Sequence, residues 1–137
     1  MRLAAFFALP LFLLVCQPPA PSGAKLFTRL SSSHSNIHFQ NIIQEDEQIN
    51  ILTYEYTYNG GGVAAADFNN DGLCDLYFVG NTVDNKLYLN TGNLRFCDAT
   101  DSSKSAGRKL WKTGVAVVDI NSDGWLDLYL SYSGPVA

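Results

Sequence analysis

The sequence is short of charge. Asp, Glu, Lys and Arg make up 16% of its residues, against about a quarter in an ordinary globular domain. The net charge of −4 disfavours nucleic acid or an anionic membrane surface as partner. There are only 3 cysteines and 2 histidines. So few cysteines exclude a disulfide-framed miniprotein. Cys74 and Cys97 are the one pair left if Cys16 serves export, and a bridge or two unpaired strand residues are both open. No apolar run reaches the about 20 residues of a membrane-spanning helix. The one from Leu3 to Val15 is interrupted by Pro10. No Ser-His-Asp or Cys-His set is spaced as a catalytic centre, so the chain is expected not to be an enzyme.

What is present begins with an export signal over residues 1–15, a single cation at Arg2 followed by the apolar run. Leu13-Leu14-Val15-Cys16 resembles the lipobox of bacterial lipoproteins, whose cysteine is lipidated. Val15 stands where Gly, Ala or Ser is usual, so cleavage after Ser22-Gly23-Ala24 is the competing route. Both lead out of the cytoplasm, to a cell-surface or outer-membrane lipoprotein or else to secretion. Residues 16–24, rich in proline, read as a semi-rigid spacer.

The body of the chain repeats itself. Gly62-Val63-Ala64-Ala65-Ala66-Asp67-Phe68-Asn69-Asn70-Asp71-Gly72 aligns with Gly114-Val115-Ala116-Val117-Val118-Asp119-Ile120-Asn121-Ser122-Asp123-Gly124. Each pair, such as Asp67 and Asp119, is 52 residues apart. A period near 50 suits a four-stranded blade better than a short helical repeat. Each unit reads as strand, acidic loop, strand: Val63 to Ala66 then Leu76 to Val79, and Val115 to Val118 then Leu128 to Leu130. Lys86 to Asn90 and Leu94 to Cys97 alternate in the period of two further strands around a turn at Thr91-Gly92-Asn93. The reading is therefore two repeats, 60–111 and a truncated 112–137, in an all-β chain.

The loops carry the chemistry. DxNxDGxxD sets oxygen side chains at Asp67, Asn69, Asp71 and Asp75, and again at Asp119, Asn121, Asp123 and Asp127. The main-chain carbonyls of Leu73 and Trp125 would complete each set. Calcium takes about six to eight hard oxygen ligands in flexible geometry, which such a loop supplies. Three carboxylates so close repel by about 1 kcal/mol per pair even in water, a penalty that a divalent cation removes. Gly72 and Gly124 permit the turn, at an expected positive φ. Magnesium prefers stricter octahedral geometry, and the loops lack the Cys or His that zinc favours. An EF-hand would need Glu at loop position 12, where Phe78 and Leu130 stand.

These repeats resemble FG-GAP/VCBS repeats, the units of integrin α propellers and of many bacterial surface proteins. The stretch from Gly60 to Asn81, with the NKLYLN-TGN-LRF that follows, is similar to bacterial secreted proteins carrying an ASPIC/UnbV domain, related to cartilage acidic protein. Cys74 stands where such repeats often have Pro. The resemblance implies a β-propeller of four-stranded antiparallel blades and a role in adhesion, ligand binding or scaffolding, with a protein or glycan at the cell surface as partner. A closed propeller has about four to eight blades, so the about two present make an incomplete one. The sequence is accordingly expected to be a fragment. The competing reading is a piece of a propeller-based carbohydrate-active enzyme with its catalytic residues elsewhere.

Residues 25–59 lack an acidic loop. The alternation of Tyr54, Tyr56 and Tyr58 suggests that they supply opening strands. Glu45-Asp46-Glu47 reads as a solvated turn without a ligand role. His34 and His38 have helical spacing, but Ser31-Ser32-Ser33 argues against a helix, and they are read as ordinary polar histidines.

Overall fold

The computed structural model describes residues 26–134. The export segment 1–15, the spacer 16–24 and Cys16 lie outside the described residues. Strands form where the short apolar runs beside the loops and the alternating stretches place them: β1 (Val63–Ala66), β2 (Asp75–Phe78), β3 (Lys86–Asn90), β4 (Phe96–Asp98), β5 (Lys112–Val118) and β6 (Asp127–Tyr132). The first four make one antiparallel meander in the order β1-β2-β3-β4, and β5 pairs with β6 in a second sheet. The hairpin register repeats as the sequence does. Ala66 opposes Asp75 in the first unit, and Val118 opposes Asp127 in the second. The chain is thus mostly β, in two antiparallel sheets.

The core lies between the sheets. Ala64, Tyr77, Val79 and Leu87 are buried in the first, and Val115, Val117, Leu128 and Leu130 of the second pack against them. Burial of a Val or Leu side chain contributes about 1.5–3 kcal/mol, and a sheet with one apolar face must cover it. The equivalent strands β1 and β5 meet directly, and glycines allow the approach. A Cβ on Gly62 would stand 2.9 Å from the Val115 nitrogen and 3.1 Å from the Gly114 Cα. Gly61 is tighter, with the Val79 carbonyl oxygen 2.0 Å from where its Cβ would be.

Buried amides fasten the two repeats. The Asn81 side chain donates to the carbonyls of Gly60 (2.9 Å) and Lys112 (2.8 Å), positions that are themselves 52 residues apart. Its oxygen accepts from Asn41 at 2.7 Å. Tyr77, 1% exposed, donates its hydroxyl to the Ser105 carbonyl at 2.6 Å and accepts from the Asn85 amide at 2.8 Å. Burial pushes its phenol above the ordinary tyrosine value. These buried side chains are partnered, as burial requires.

The N-terminal segment departs from the expectation of opening strands. Among the described residues before β1 there is one helical turn, α1 (Ser32–Ser35), and no strand. Ser31 caps that turn, its hydroxyl accepting from the His34 N–H at 3.2 Å. Where Tyr54, Tyr56 and Tyr58 alternate, the chain makes turns instead. The Asn50 side chain accepts from the N–H groups of Leu52 (2.9 Å) and Thr53 (3.1 Å), and the Thr57 hydroxyl donates back to the Tyr54 carbonyl. Side chains of this type offer the backbone a local alternative to sheet pairing. Asp46 likewise closes a turn by accepting from Gln48 and Ile49 at 2.8 and 2.6 Å.

A second short helix, α2 (Thr100–Ser103), follows β4. Cys74 and Cys97 are free and exposed. One precedes β2 and the other lies in β4, with β3 between them. Two strand spacings, about 9–10 Å, exceed the Cα separation that a disulfide spans. No helix of the described residues is long and apolar enough to cross a membrane.

Two acidic loops as a candidate metal centre

Each loop is wound around its own side chains, in the same way twice. In the first, Asp67 accepts from the N–H groups of Asp71 (3.1 Å) and Gly72 (2.8 Å), and Asp71 accepts from Leu73 (2.8 Å). The Asn69 amide donates to Asp71 at 2.8 Å, and its oxygen accepts from the Asp71 N–H at 3.2 Å. In the second, Asp119 accepts from Asp123 (3.1 Å) and Gly124 (2.9 Å), Asp123 accepts from Trp125 (2.8 Å), and Asn121 donates to Asp123 at 2.8 Å. Two positive φ angles per loop produce the curl. They fall at Asn70 (57°) and Gly72 (84°), and at Ser122 (59°) and Gly124 (86°). Glycine tolerates this region without strain and asparagine does so better than most residues.

The fourth acidic position differs in kind. Asp75 is 0% exposed, and its two oxygens accept from the N–H groups of Phe68 (2.9 Å) and Asn90 (2.7 Å). It therefore ties the loop to β3 while standing at the head of β2. Asp127 makes the first of these bonds, from Ile120 at 3.1 Å, but is only half-buried. Sequence reasoning missed this stapling role. The signal for it was an Asp opening an apolar strand, where a charge needs partners.

The structure brings Asp67, Asn69 and Asp71 together, and Asp119, Asn121 and Asp123 together. Asp75 and Asp127 are turned toward main-chain N–H groups, and Leu73 and Trp125 donate their N–H to the loop carboxylates. Among the described residues, no three His, Cys, Asp or Glu side chains converge as a formed metal cage. The donor chemistry nevertheless fits a hard cation. Every donor side chain is an oxygen, and each carboxylate oxygen can accept twice, so the single bonds described leave room for an ion. Neither loop has a Lys or Arg ion partner among the described residues; the Lys86–Asp98 pair, at 2.9 Å, lies elsewhere. The Trp125 N–H and the Asn121 amide hold Asp123 below the usual carboxylate pKa, which keeps it ionised for a cation. His34 bonds the Asn93 carbonyl through Nε2 at 3.0 Å, and the His38 N–H donates to the Tyr88 hydroxyl at 3.2 Å.

These features define an all-β protein made of repeated hairpin units, each presenting an acidic loop. A family model described as an FG-GAP-like repeat matches residues 67–130, from the first loop through most of β6. No curated protein and no solved structure gave a significant match.

Proposed function

We propose that the chain is an exported, calcium-binding propeller repeat protein acting as a surface binding, adhesion or scaffolding module, without catalytic activity of its own. The FG-GAP-like repeat points to an extracellular module of the binding or adhesion type. The observation that carries the calcium reading is the duplicated loop, an all-oxygen donor set with unspent acceptor capacity and no Lys or Arg ion partner among the described residues. Asp67, Asn69 and Asp71 would hold one ion and Asp119, Asn121 and Asp123 the other. Asp75 and Asp127, with the carbonyls of Leu73 and Trp125, would complete the sets. Calcium would supply charge neutralisation: without it, each loop keeps three carboxylates within one short turn. Ion binding and hairpin closure are then thermodynamically linked. The side-by-side packing of the equivalent strands β1 and β5 supports the propeller part of the reading, since blades succeed one another by repetition about an axis.

Calorimetric titration of calcium into the chelator-treated chain tests this. Two ions per chain and a raised melting temperature are expected, with affinities of about 10⁻⁴ to 10⁻³ M, as in extracellular modules. Asp71→Ala and Asp123→Ala should each remove one ion. No binding by a folded sample, or two ions kept by the double variant, would overturn the assignment.

A further inference from the structure

We propose that the N-terminal arm, residues 26–30, of one copy of this chain adds as a strand to the open edge of β6 in a second copy. This goes beyond the calcium reading and does not depend on it. The first repeat supplies the template. There β3 runs antiparallel along the outer edge of β2, with Tyr77 opposite Leu87 and Leu76 opposite Tyr88, and the Asn90 N–H donates to Asp75 at 2.7 Å. In the second repeat the same edge is open, since β6 pairs only with β5 among the described residues. Asp127, the counterpart of Asp75, accepts from Ile120 alone among them, and Tyr129, the counterpart of Tyr77, is largely exposed. An unpaired strand edge is a template for another strand.

The chain carries a segment that resembles the strand missing from that edge. Lys25-Leu26-Phe27-Thr28-Arg29 aligns with Lys86-Leu87-Tyr88-Leu89-Asn90 of β3, with lysine and leucine identical and an aromatic residue after them. Leu26 and Phe27 are almost fully exposed. Residues 26–30 join no helix or strand and make no hydrogen bond to a described residue. Set in the register of β3, Leu26 falls opposite Tyr129 and Phe27 opposite Leu128, and the Arg29 N–H meets the second oxygen of Asp127. Leu26 then covers Tyr129 as Leu87, in one core cluster with Tyr77, covers that residue. Charge agrees, because Lys25 and Arg29 come beside a loop whose Asp119, Asp123 and Asp127 have no ion partner among the described residues.

The donor is a second copy because a chain's own arm starts on the wrong side. Arg29 and Leu30 line one groove with Leu76, Leu94 and Phe96. Alternation along β2 puts Leu76 on the face opposite Tyr77, hence away from the second sheet. The arm residues before Leu30 reach at most about 14 Å fully extended, and pairing along β6 would use that whole length, leaving none for the detour. A strand this short buries less than the about 1,200 Å² of a stable interface, so the association is weak and is best trapped covalently.

The test mixes two full-length chains under mild oxidation, both carrying Cys16→Ser, Cys74→Ser and Cys97→Ser. One also carries Leu26→Cys and the other Tyr129→Cys, exposed positions whose substitution leaves the fold intact. Opposed residues of an antiparallel pair have Cβ atoms about 4.5–5.5 Å apart, close enough for a disulfide after a small shift. A heterodimer bridged from 26 to 129 is expected, at least about tenfold more than with Leu52→Cys, which is as exposed but lies off the edge. Excess peptide of residues 25–30 should suppress it. No bridge in the mixture, or equal bridging to Leu52→Cys, would overturn the proposal. So would a bridge that forms only when both cysteines sit in one chain, since the arm would then serve its own β6. Suppression by a peptide of residues 86–90 but not by residues 25–30 would also overturn it, assigning the edge to the third strand of another repeat.

Discussion

Tyr77 and Tyr129 occupy the same place in two copies of one repeat, each following Asp-Leu at the head of its second strand. Tyr77 is 1% exposed and Tyr129 is 62% exposed. The loops that precede them, by contrast, match bond for bond, with corresponding distances differing by no more than 0.2 Å. The loop is closed by hydrogen bonds within seven residues of chain, so like sequences make like loops. Burial of the tyrosine depends on what covers the sheet. In the first repeat Ser105, after α2, and Asn85, just before β3, are the partners of the tyrosine hydroxyl. The second sheet has only β5 and β6 among the described residues.

Substitution of the paired tyrosines probes this contrast most strongly. Tyr77→Ala should cost about 3–5 kcal/mol, as for other buried aromatics. Tyr129→Ala should stay within about 1 kcal/mol, as at most surface positions. Urea denaturation measures both, and equal losses would show that Tyr129 is covered in solution. A smaller asymmetry is expected at the staples. In chelator, Asp75→Ala leaves two N–H groups without acceptors and should cost about 2–3 kcal/mol, roughly twice the effect of Asp127→Ala.

The loops themselves should behave alike. Gly72→Ala and Gly124→Ala force a side chain into φ of 84° and 86°, and each should lose about 1–2 kcal/mol. A difference well beyond error would mean that the loops are not equivalent. The least effect lies in the acid limb. Because the folded-state pKa of Asp123 is depressed, its contribution is present above the unfolded value of about 3.9 and fades as pH falls through the folded value. A carboxyl NMR titration should find Asp123 below that reference, and Asn121→Ala should raise it. A midpoint already at the reference in the unsubstituted chain would remove the role given to the Trp125 N–H and the Asn121 amide.

Much of the fold was legible because its signals are short in range. Val63 to Ala66 is a short apolar run before the acidic loop and forms β1; Lys86 to Asn90 alternates toward a half-buried strand and forms β3. The positive φ of Gly72 and Gly124 follows from turn chemistry. The tyrosine alternation before β1 misled because Asn50, Thr53 and Thr57 spend their side chains on nearby main-chain groups, and those local bonds outcompete a strand that would have to find a partner far along the chain. At the candidate site, the donor types could be read directly, whereas the withdrawal of Asp75 into a buried staple could not. That role requires the Asn90 N–H, fifteen residues away and across a strand pairing.

The sequence alone determined the duplicated acidic loop, the strands that flank it and the oxygen chemistry it offers, since each depends on neighbours within a few residues. Only the tertiary structure decided that Gly61 and Gly62 serve close backbone approach, that Asn81 joins Gly60 to Lys112, and that Tyr77 is buried while its twin is exposed. Those outcomes depend on which surfaces the folded chain brings together, and residues far apart in sequence carry no local record of that meeting.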